Sequence, residues 1–356
     1  MRGGRADRVP LELHGFEAGR LENIKDSATR EIAARIIDQT HFSRGCNSFI
    51  NRYLVTPPQR MKEVSREDRD GEVTAVVEID TPKGKLTSVT KHNPLSQTVW
   101  TIKYPVESPA DIEKIRSVPW EPPPGLSPPD LSELPEPFES RGIVRTGISS
   151  PFVCVAGMMT YQYFLELCAT HPELMKELTA ICLDRILRTL DVVLSEDTVE
   201  YVWMGGCEWL TPPMGSPKLY ELLVQDFERP VIERIHAGGA ICHVHCHGRV
   251  RSTLEQVIER GADFFEPVEP PPDGDITFAE AKAAAAGRIT LGGNIEFRIL
   301  SNENADVVEQ AVRNAFEGGK ERMVLQATAG PISPLTPRLI ANYHRMIDVW
   351  EALSPI

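Results

Sequence analysis

Long hydrophobic runs are missing from this 356-residue chain. No stretch approaches the roughly 18–20 consecutive apolar residues that span a bilayer, so no membrane partner is expected. The N-terminus, Met-Arg-Gly-Gly-Arg-Ala-Asp-Arg, has charge but no apolar segment behind it and does not read as a secretory signal. Positive charge is in short supply: 38 Lys and Arg face 51 Asp and Glu, a formal charge of −13. That balance argues against nucleic acid or an anionic membrane surface as partner. Cysteine is sparse and odd in number, seven in all, and Cys154, Cys168 and Cys182 sit in apolar surroundings. Such usage points to free thiols in a reducing compartment, and a cytoplasmic location is the expectation. No Gly-x-Gly-x-x-Gly stands at a strand–helix turn, which counts against a dinucleotide-binding fold. No short internal repeat is present.

What is present is a globular composition, 41% hydrophobic and 25% charged, ample for a core. Residues 26–38 and 47–53 have helical spacing. From Glu72 the texture turns to β. Val73–Asp80 and Lys85–Thr90 flank a Pro-Lys-Gly turn and read as a hairpin, with Val99–Tyr104 as a third strand. Ser108-Pro109 opens an N-capped helix to about Arg116. A proline-dense connector follows over 121–137. Beyond Gly142, apolar strands alternate with amphipathic helices. The strands are expected at Ile143–Gly147, Tyr201–Met204, Ala240–His245, Asp263–Glu266, Ile289–Gly292 and Met323–Gln326. Such alternation means a parallel sheet, and six units here, with room for two earlier, fit an α/β fold, the (β/α)8 TIM barrel. A single domain over 1–356 is expected. N-terminal helices and a β-hairpin extension occupy 1–120, the proline-rich connector 121–140 and the barrel core 141–356.

Three of the nine histidines stand in Ile241-Cys-His-Val-His-Cys-His-Gly248. Strand side chains alternate, so His243, His245 and His247 share one face while Cys242, Val244 and Cys246 share the other. Imidazole is the commonest transition-metal ligand. Three on one face of a strand that breaks at Gly248 read as the wall of a site rather than as core histidines. Barrel active sites lie at the C-terminal ends of the strands. There the sequence places Glu208, His245, His247, Glu266, Glu269, Asn294 and Glu296. Polar groups at four successive strand ends are the main sign of an active site. Blander readings stand beside it. Glu266 and Glu269, with Asp273 and Asp275, also suit a solvated loop stiffened by prolines. Asn294 suits a turn cap, and Trp203, Met204 and Trp209 suit core or pocket wall.

On these residues the chain resembles the uroporphyrinogen decarboxylase superfamily, which includes corrinoid-dependent methyltransferases. The resemblance runs through Trp100–Tyr104 into Pro105-Val-Glu-Ser-Pro-Ala-Asp-Ile-Glu113, then Ser150-Pro151-Phe152 and Cys242–Gly248. It continues through Gly261-Ala-Asp263, Gly292-Gly-Asn-Ile295 and Leu335-Thr-Pro337. It implies a barrel with N-terminal additions. Two decarboxylase features are absent: the Arg-Gln-Ala-Gly-Arg segment, where residues 41–53 stand, and Gly-His-Gly, where Ala327–Pro334 stand. A polycarboxylate tetrapyrrole needs a strongly cationic cleft, so that substrate is not expected. The methyltransferase branch holds zinc with His-x-Cys and a later Cys. Here His245-Cys246-His247 aligns as His-x-His, and Ala329 or Gly330 replaces the later Cys.

The resemblance therefore implies a zinc-dependent methyltransferase. It would move a methyl group between a small substrate, a methoxy compound foremost, and a corrinoid (cobalamin) carried by a partner protein. The chain has no Asp-x-His-x-x-Gly corrinoid motif of its own. His245, His247 and Glu208 are the expected metal ligands, and Glu208, His243 and Glu266 the expected catalytic groups, with His243 a layer deeper. Arg44, Tyr161, Trp209, Glu269 and Asn294 are the expected substrate contacts. Two other readings remain open: a carboxy-lyase acting on a smaller acid, although no Arg or Lys clearly ends a strand, and a non-catalytic corrinoid or metabolite sensor. The Val73–Tyr104 segment is the expected surface for a homodimer or for partner docking.

Overall fold

The computed structural model describes residues 6–16, 20–38, 42–45, 52–93, 98–130, 142–331 and 334–356. The apolar runs beyond Gly142 become parallel strands: β7 (Gly142–Ser149), β8 (Tyr201–Gly205), β9 (Ile241–His245), β10 (Phe264–Glu266), β11 (Thr290–Ile295) and β12 (Met323–Ala327). Two short N-terminal strands, β1 (Leu11–Glu12) and β2 (Phe42–Gly45), join the same sheet. Among the described residues its order is β1-β12-β11-β10-β9-β8-β7-β2, and each of its ladders is parallel. Read as a ring, this is the order of the strands along the chain, the neighbour order of a (β/α)8 barrel opened between β1 and β2. The fold class expected from the alternation is the one observed.

The barrel therefore reaches back before residue 141, where the sequence pattern seemed to start. β1 is two residues long and β2 four, too short for periodicity to show. Between β2 and β7 in the chain lies a separate antiparallel sheet, β3 (Met61–Arg69), β4 (Glu72–Thr81), β5 (Gly84–His92) and β6 (Val99–Lys103), in that order. It is an insertion between barrel strands rather than an extension ahead of them. The hairpin and third strand appear as expected, while β3, mostly charged and almost wholly exposed, had no alternating pattern to reveal it. Of the helical spacing over 47–53, all but the last two residues lie outside the described residues, as does the connector beyond residue 130.

Local chemistry sets the helix starts. Ser108 caps α2 (Pro109–Arg116), accepting from the Asp111 N–H, while α1 (Ser27–Ile36) is capped by Asp26. Then come α3 (Pro151–Ala156), α4 (Tyr161–Thr170), α5 (Pro172–Val193), α6 (Pro217–Tyr220), α7 (Asp226–Ala237) and α8 (Leu254–Glu259). A capping box of Thr277 and Glu280 starts α9 (Phe278–Ala285). α10 (Phe297–Asn302), α11 (Ala305–Phe316) and α12 (Pro337–Leu353) complete the order, with Thr336 and Pro337 opening the last. The main apolar core lies where helices pack on the sheet. A small second cluster, Tyr201, Phe264 and Val324 with Ile143, Trp203 and Ile241 against them, comes from alternate residues of the strands and plugs the barrel from within. The floor of the barrel mouth rests on that plug.

Candidate active site

Parallel pairing sets Glu266 of β10 opposite His245 of β9, and chemistry follows from that register. Oε1 of Glu266 stands 2.7 Å from His245 Nδ1 and 2.9 Å from His243 Nε2. His243 is closed in from the other side by the Tyr201 hydroxyl at Nδ1, and both His243 and Glu266 are only 1% exposed. Burial disfavours an ionised Glu266, yet His245 and His243 beside it hold its carboxyl well below the ordinary range. Burial likewise opposes a charged His245, but the Glu266 carboxylate overrides it and raises the imidazole to about 9.

The next histidine repeats the arrangement one layer higher. His247 Nδ1 lies 2.8 Å from Glu269 Oε1, and the Gly248 N–H donates to the other carboxylate oxygen at 2.7 Å. The two rings are nearly perpendicular, 4.8 Å between centroids. Each imidazole thus has Nδ1 committed to a carboxylate, while neither Nε2 is in a hydrogen bond among the described residues. The Trp203 indole lies beside His245, centroids 5.2 Å apart. It can do so because Gly205 has no side chain: a Cβ there would come within 2.3 Å of the ring.

These groups face a cavity of about 480 Å³, lined among others by His14, Arg145, Trp203, His245, His247 and Glu266. It opens at the C-terminal ends of the strands, the catalytic end of such barrels. A larger cleft of about 690 Å³, against Lys282, Glu317 and Arg322, lies at the opposite end and holds none of these groups. Glu12 reaches into the same interior as His243, Glu266 and Arg145. Burial pushes its carboxyl up, with His243 pulling it down. Gln326 of β12 ties the wall together, its Nε2 3.4 Å from Glu266 Oε2 and 3.3 Å from His14 Nε2. Its side chain crosses Gly292, where a Cβ would meet Gln326 Oε1 at 2.0 Å.

The residues singled out by sequence scatter into three groups. His245, His247, Glu266 and Glu269 come together, with Glu269 spending both oxygens on His247 and Gly248 rather than facing a substrate. Glu208 sits nearby, close enough for its charge to act on His245, and its Oε2 is buried with no hydrogen-bond partner. Tyr161 and Trp209 form a pair of their own: the Tyr161 hydroxyl donates to the Trp209 carbonyl at 3.0 Å, and the rings meet edge-on against Phe164. They and the buried Asn294 are not among the residues lining the cavity. The strand carrying Arg44 pairs with β7, but its side chain lies outside the described residues. Sequence reasoning missed Glu12, His14, Arg145, Tyr201 and Gln326 as wall residues. The available signal was a polar side chain inside an apolar strand run. Glu296, named at a strand end but given no role, is 5% exposed. Burial, with Glu269 and Asp273 nearby, raises its carboxyl to about 7.

The donor set suits zinc in kind. Metal-binding histidines commonly hold their second nitrogen against a carboxylate, and His245–Glu266 and His247–Glu269 are such pairs. Glu208 Oε2 is a buried carboxyl oxygen with no hydrogen-bond partner among the described residues. Among the described residues, however, no three His, Cys, Asp or Glu side chains are gathered closely enough to hold a metal. Cys246 is turned to the other face, its thiol 3.2 Å from Thr211 Oγ1.

The fold is shared with proteins of low sequence similarity. A methyltransferase from Methanosarcina mazei superposes with a TM-score of 0.57 at 13% identity, over 98% of this chain and 95% of that one. A B12-independent methionine synthase from Shewanella sp. W3-18-1, bound to selenomethionine, gives 0.43 at 9% identity, over 82% and 76%. No curated protein matches by sequence. Among the described residues no helix is long and apolar enough to cross a membrane. The family model for uroporphyrinogen decarboxylase (URO-D) matches residues 101–352, which take in barrel strands β7 to β12 and both histidine–glutamate pairs, and the chain belongs to that family.

Proposed function

We propose that this protein is a zinc-dependent methyltransferase. It moves a methyl group between a small substrate, a methoxy compound foremost, and a corrinoid carried by a partner protein. The observation that supports this reading is the pair of imidazoles, His245 and His247, each fixed through Nδ1 by a glutamate with Nε2 left toward the cavity. His245 and His247 would hold the zinc, with Glu208 drawn in as third ligand on binding, since the three are not gathered in this structure; a bound zinc would supply a Lewis acid able to draw charge from an ether or thioether heteroatom.

The chain's own residues do the rest. Glu266 and Glu269 set the ring orientations, and Glu266 keeps the His245 imidazole basic. Trp203 walls the cavity beside His245 and limits water there. Glu296, with its carboxyl raised to about 7, is near the protonation midpoint at neutral pH and can give a proton from its unpartnered Oε1 to a departing alkoxide. A second reading, a carboxy-lyase acting on a smaller acid, is favoured by one observation. Arg145 lines the cavity and provides the cation that the strand ends seemed to lack.

Metal content of wild type beside a His245→Ala/His247→Ala double variant tests the first reading. Near-stoichiometric zinc in wild type, lost in the variant, is expected, together with methyl transfer from methoxy compounds to cob(I)alamin. Absence of zinc from both freshly purified and zinc-reconstituted wild type would sink the proposal and leave the carboxy-lyase first.

A further inference from the structure

We infer that Arg145 is the anion-binding group of the barrel cavity and that the substrate carries a single carboxylate. This deepens the methyl-transfer reading by naming its substrate class, and rests on that reading only for the methoxy end of the molecule. Arg145 lies within β7, between Val144 and Thr146, and is partly buried. Its guanidinium makes no hydrogen bond or ion pair among the described residues. The two buried arginines among the described residues both have partners within the protein. Arg260 meets Glu228 at 3.0 Å and the Tyr220 hydroxyl, and Arg185 donates to the Leu54 and Val118 carbonyls. A partly buried guanidinium that faces a cavity with no partner among the described residues keeps its fork of donors open to an anion from outside.

Among the described residues no carboxylate stands within hydrogen-bond or ion-pair distance of the Arg145 guanidinium. Glu12 interacts with it electrostatically, and burial pushes the Glu12 carboxyl up. Glu266 is already shared by His243 and His245. The surroundings also limit the anion's charge. Arg145 is the one guanidinium among the described residues that line the cavity, which suits one acidic group rather than several. A carboxylate brings one charge and two coplanar oxygens, which match the guanidinium fork. A cavity of about 480 Å³ accepts a molecule of benzoate size, and Trp203 offers it an aromatic face. Arg145 would thus hold the acid end and leave the opposite end toward His245 and His247.

The test is calorimetric titration of zinc-reconstituted protein with 4-methoxybenzoate and methoxyacetate, each beside its neutral amide. Wild type is expected to bind at least one acid tenfold or more tightly than its amide. Arg145→Gln should erase that preference, and Arg145→Lys should keep only part of it. Equal binding of acids and amides by wild type, or binding of neither acid, would overturn the inference even if Arg145→Gln does not fold. A preference that survives Arg145→Gln and disappears in His247→Ala would place the carboxylate on the histidines and overturn it too. Arg145-dependent binding without methyl transfer to cob(I)alamin would leave the inference standing and count against the methyltransferase reading alone.

Discussion

Glu296 illustrates how far the surroundings of one carboxylate shape behaviour at the residue scale. Its folded-state value of about 7 lies above the ordinary 4.5, so between those limits the folded protein keeps a proton that the unfolded chain has released. Stability then falls as pH rises from 4.5 to 7, and the cost of the buried charge is complete above that window. Glu296→Gln should remove this slope, gaining up to about 2–3 kcal/mol above pH 7 and little below pH 4.5. Denaturant titrations of both proteins at pH 4.5 and 8 measure it; equal gains at both would mean that charge is not the cause. The same scale shows what could be read from residue types. His245, His247, Glu266 and Glu269 were legible because each ends an apolar run. Their partnerships were not. That Glu269 anchors a ring depends on which loop faces which strand, and Arg145 and Glu12 became wall residues only when distant strands closed around them.

At the scale of elements, β8 and β9 carry the site through small residues as much as polar ones. Gly205 ends β8 with the Trp203 ring lying where its Cβ would be, at 2.3 Å. Gly205→Ala should force the indole off His245, costing about 1–3 kcal/mol as overpacking does and changing the near-ultraviolet dichroism of the tryptophan. An unchanged spectrum with unchanged stability would show that the ring has room to spare. Long elements were visible in advance for a physical reason. Alternation needs several residues to declare itself, so β4, β5 and the strands from β7 onward were seen, while β1 and β2 were not. β3 is a strand by recruitment: β4, with its β-branched residues, supplies a hydrogen-bonding edge on which the charged sequence Met61–Arg69 pairs.

For the whole molecule, the inserted sheet and the barrel share one core. Ile79 and Leu86 of the sheet belong to the same buried cluster as the barrel's helices. The Tyr53 hydroxyl reaches Ser88 at 3.0 Å, while Arg185 of α5 holds the Leu54 carbonyl. One cooperative transition is therefore expected, with loss of helical dichroism and the change in Trp100 emission coinciding. Trp100, 56% exposed on β6, reports on the sheet, and an earlier transition by fluorescence would show that the insertion melts alone. The edge strand β6 also exposes Val99 and Ile102, which keeps the expected docking or dimer surface a proposal for this sheet.

What the sequence determined by itself was local and periodic. The alternation of apolar strands with amphipathic helices dictated a parallel barrel, because buried strands need cover on both faces. The polar residues where those strands stop marked the catalytic end. What only the tertiary structure decided was which distant groups meet. Register set Glu266 against His245, barrel closure brought Glu12 within reach of the charges of Arg145 and His243, and packing of the mouth left Glu208 Oε2 without a partner among the described residues and Tyr161 bound to Trp209. Those pairs lie 21 positions apart for His245 and Glu266 and 48 for Tyr161 and Trp209, too far for any local pattern to encode them.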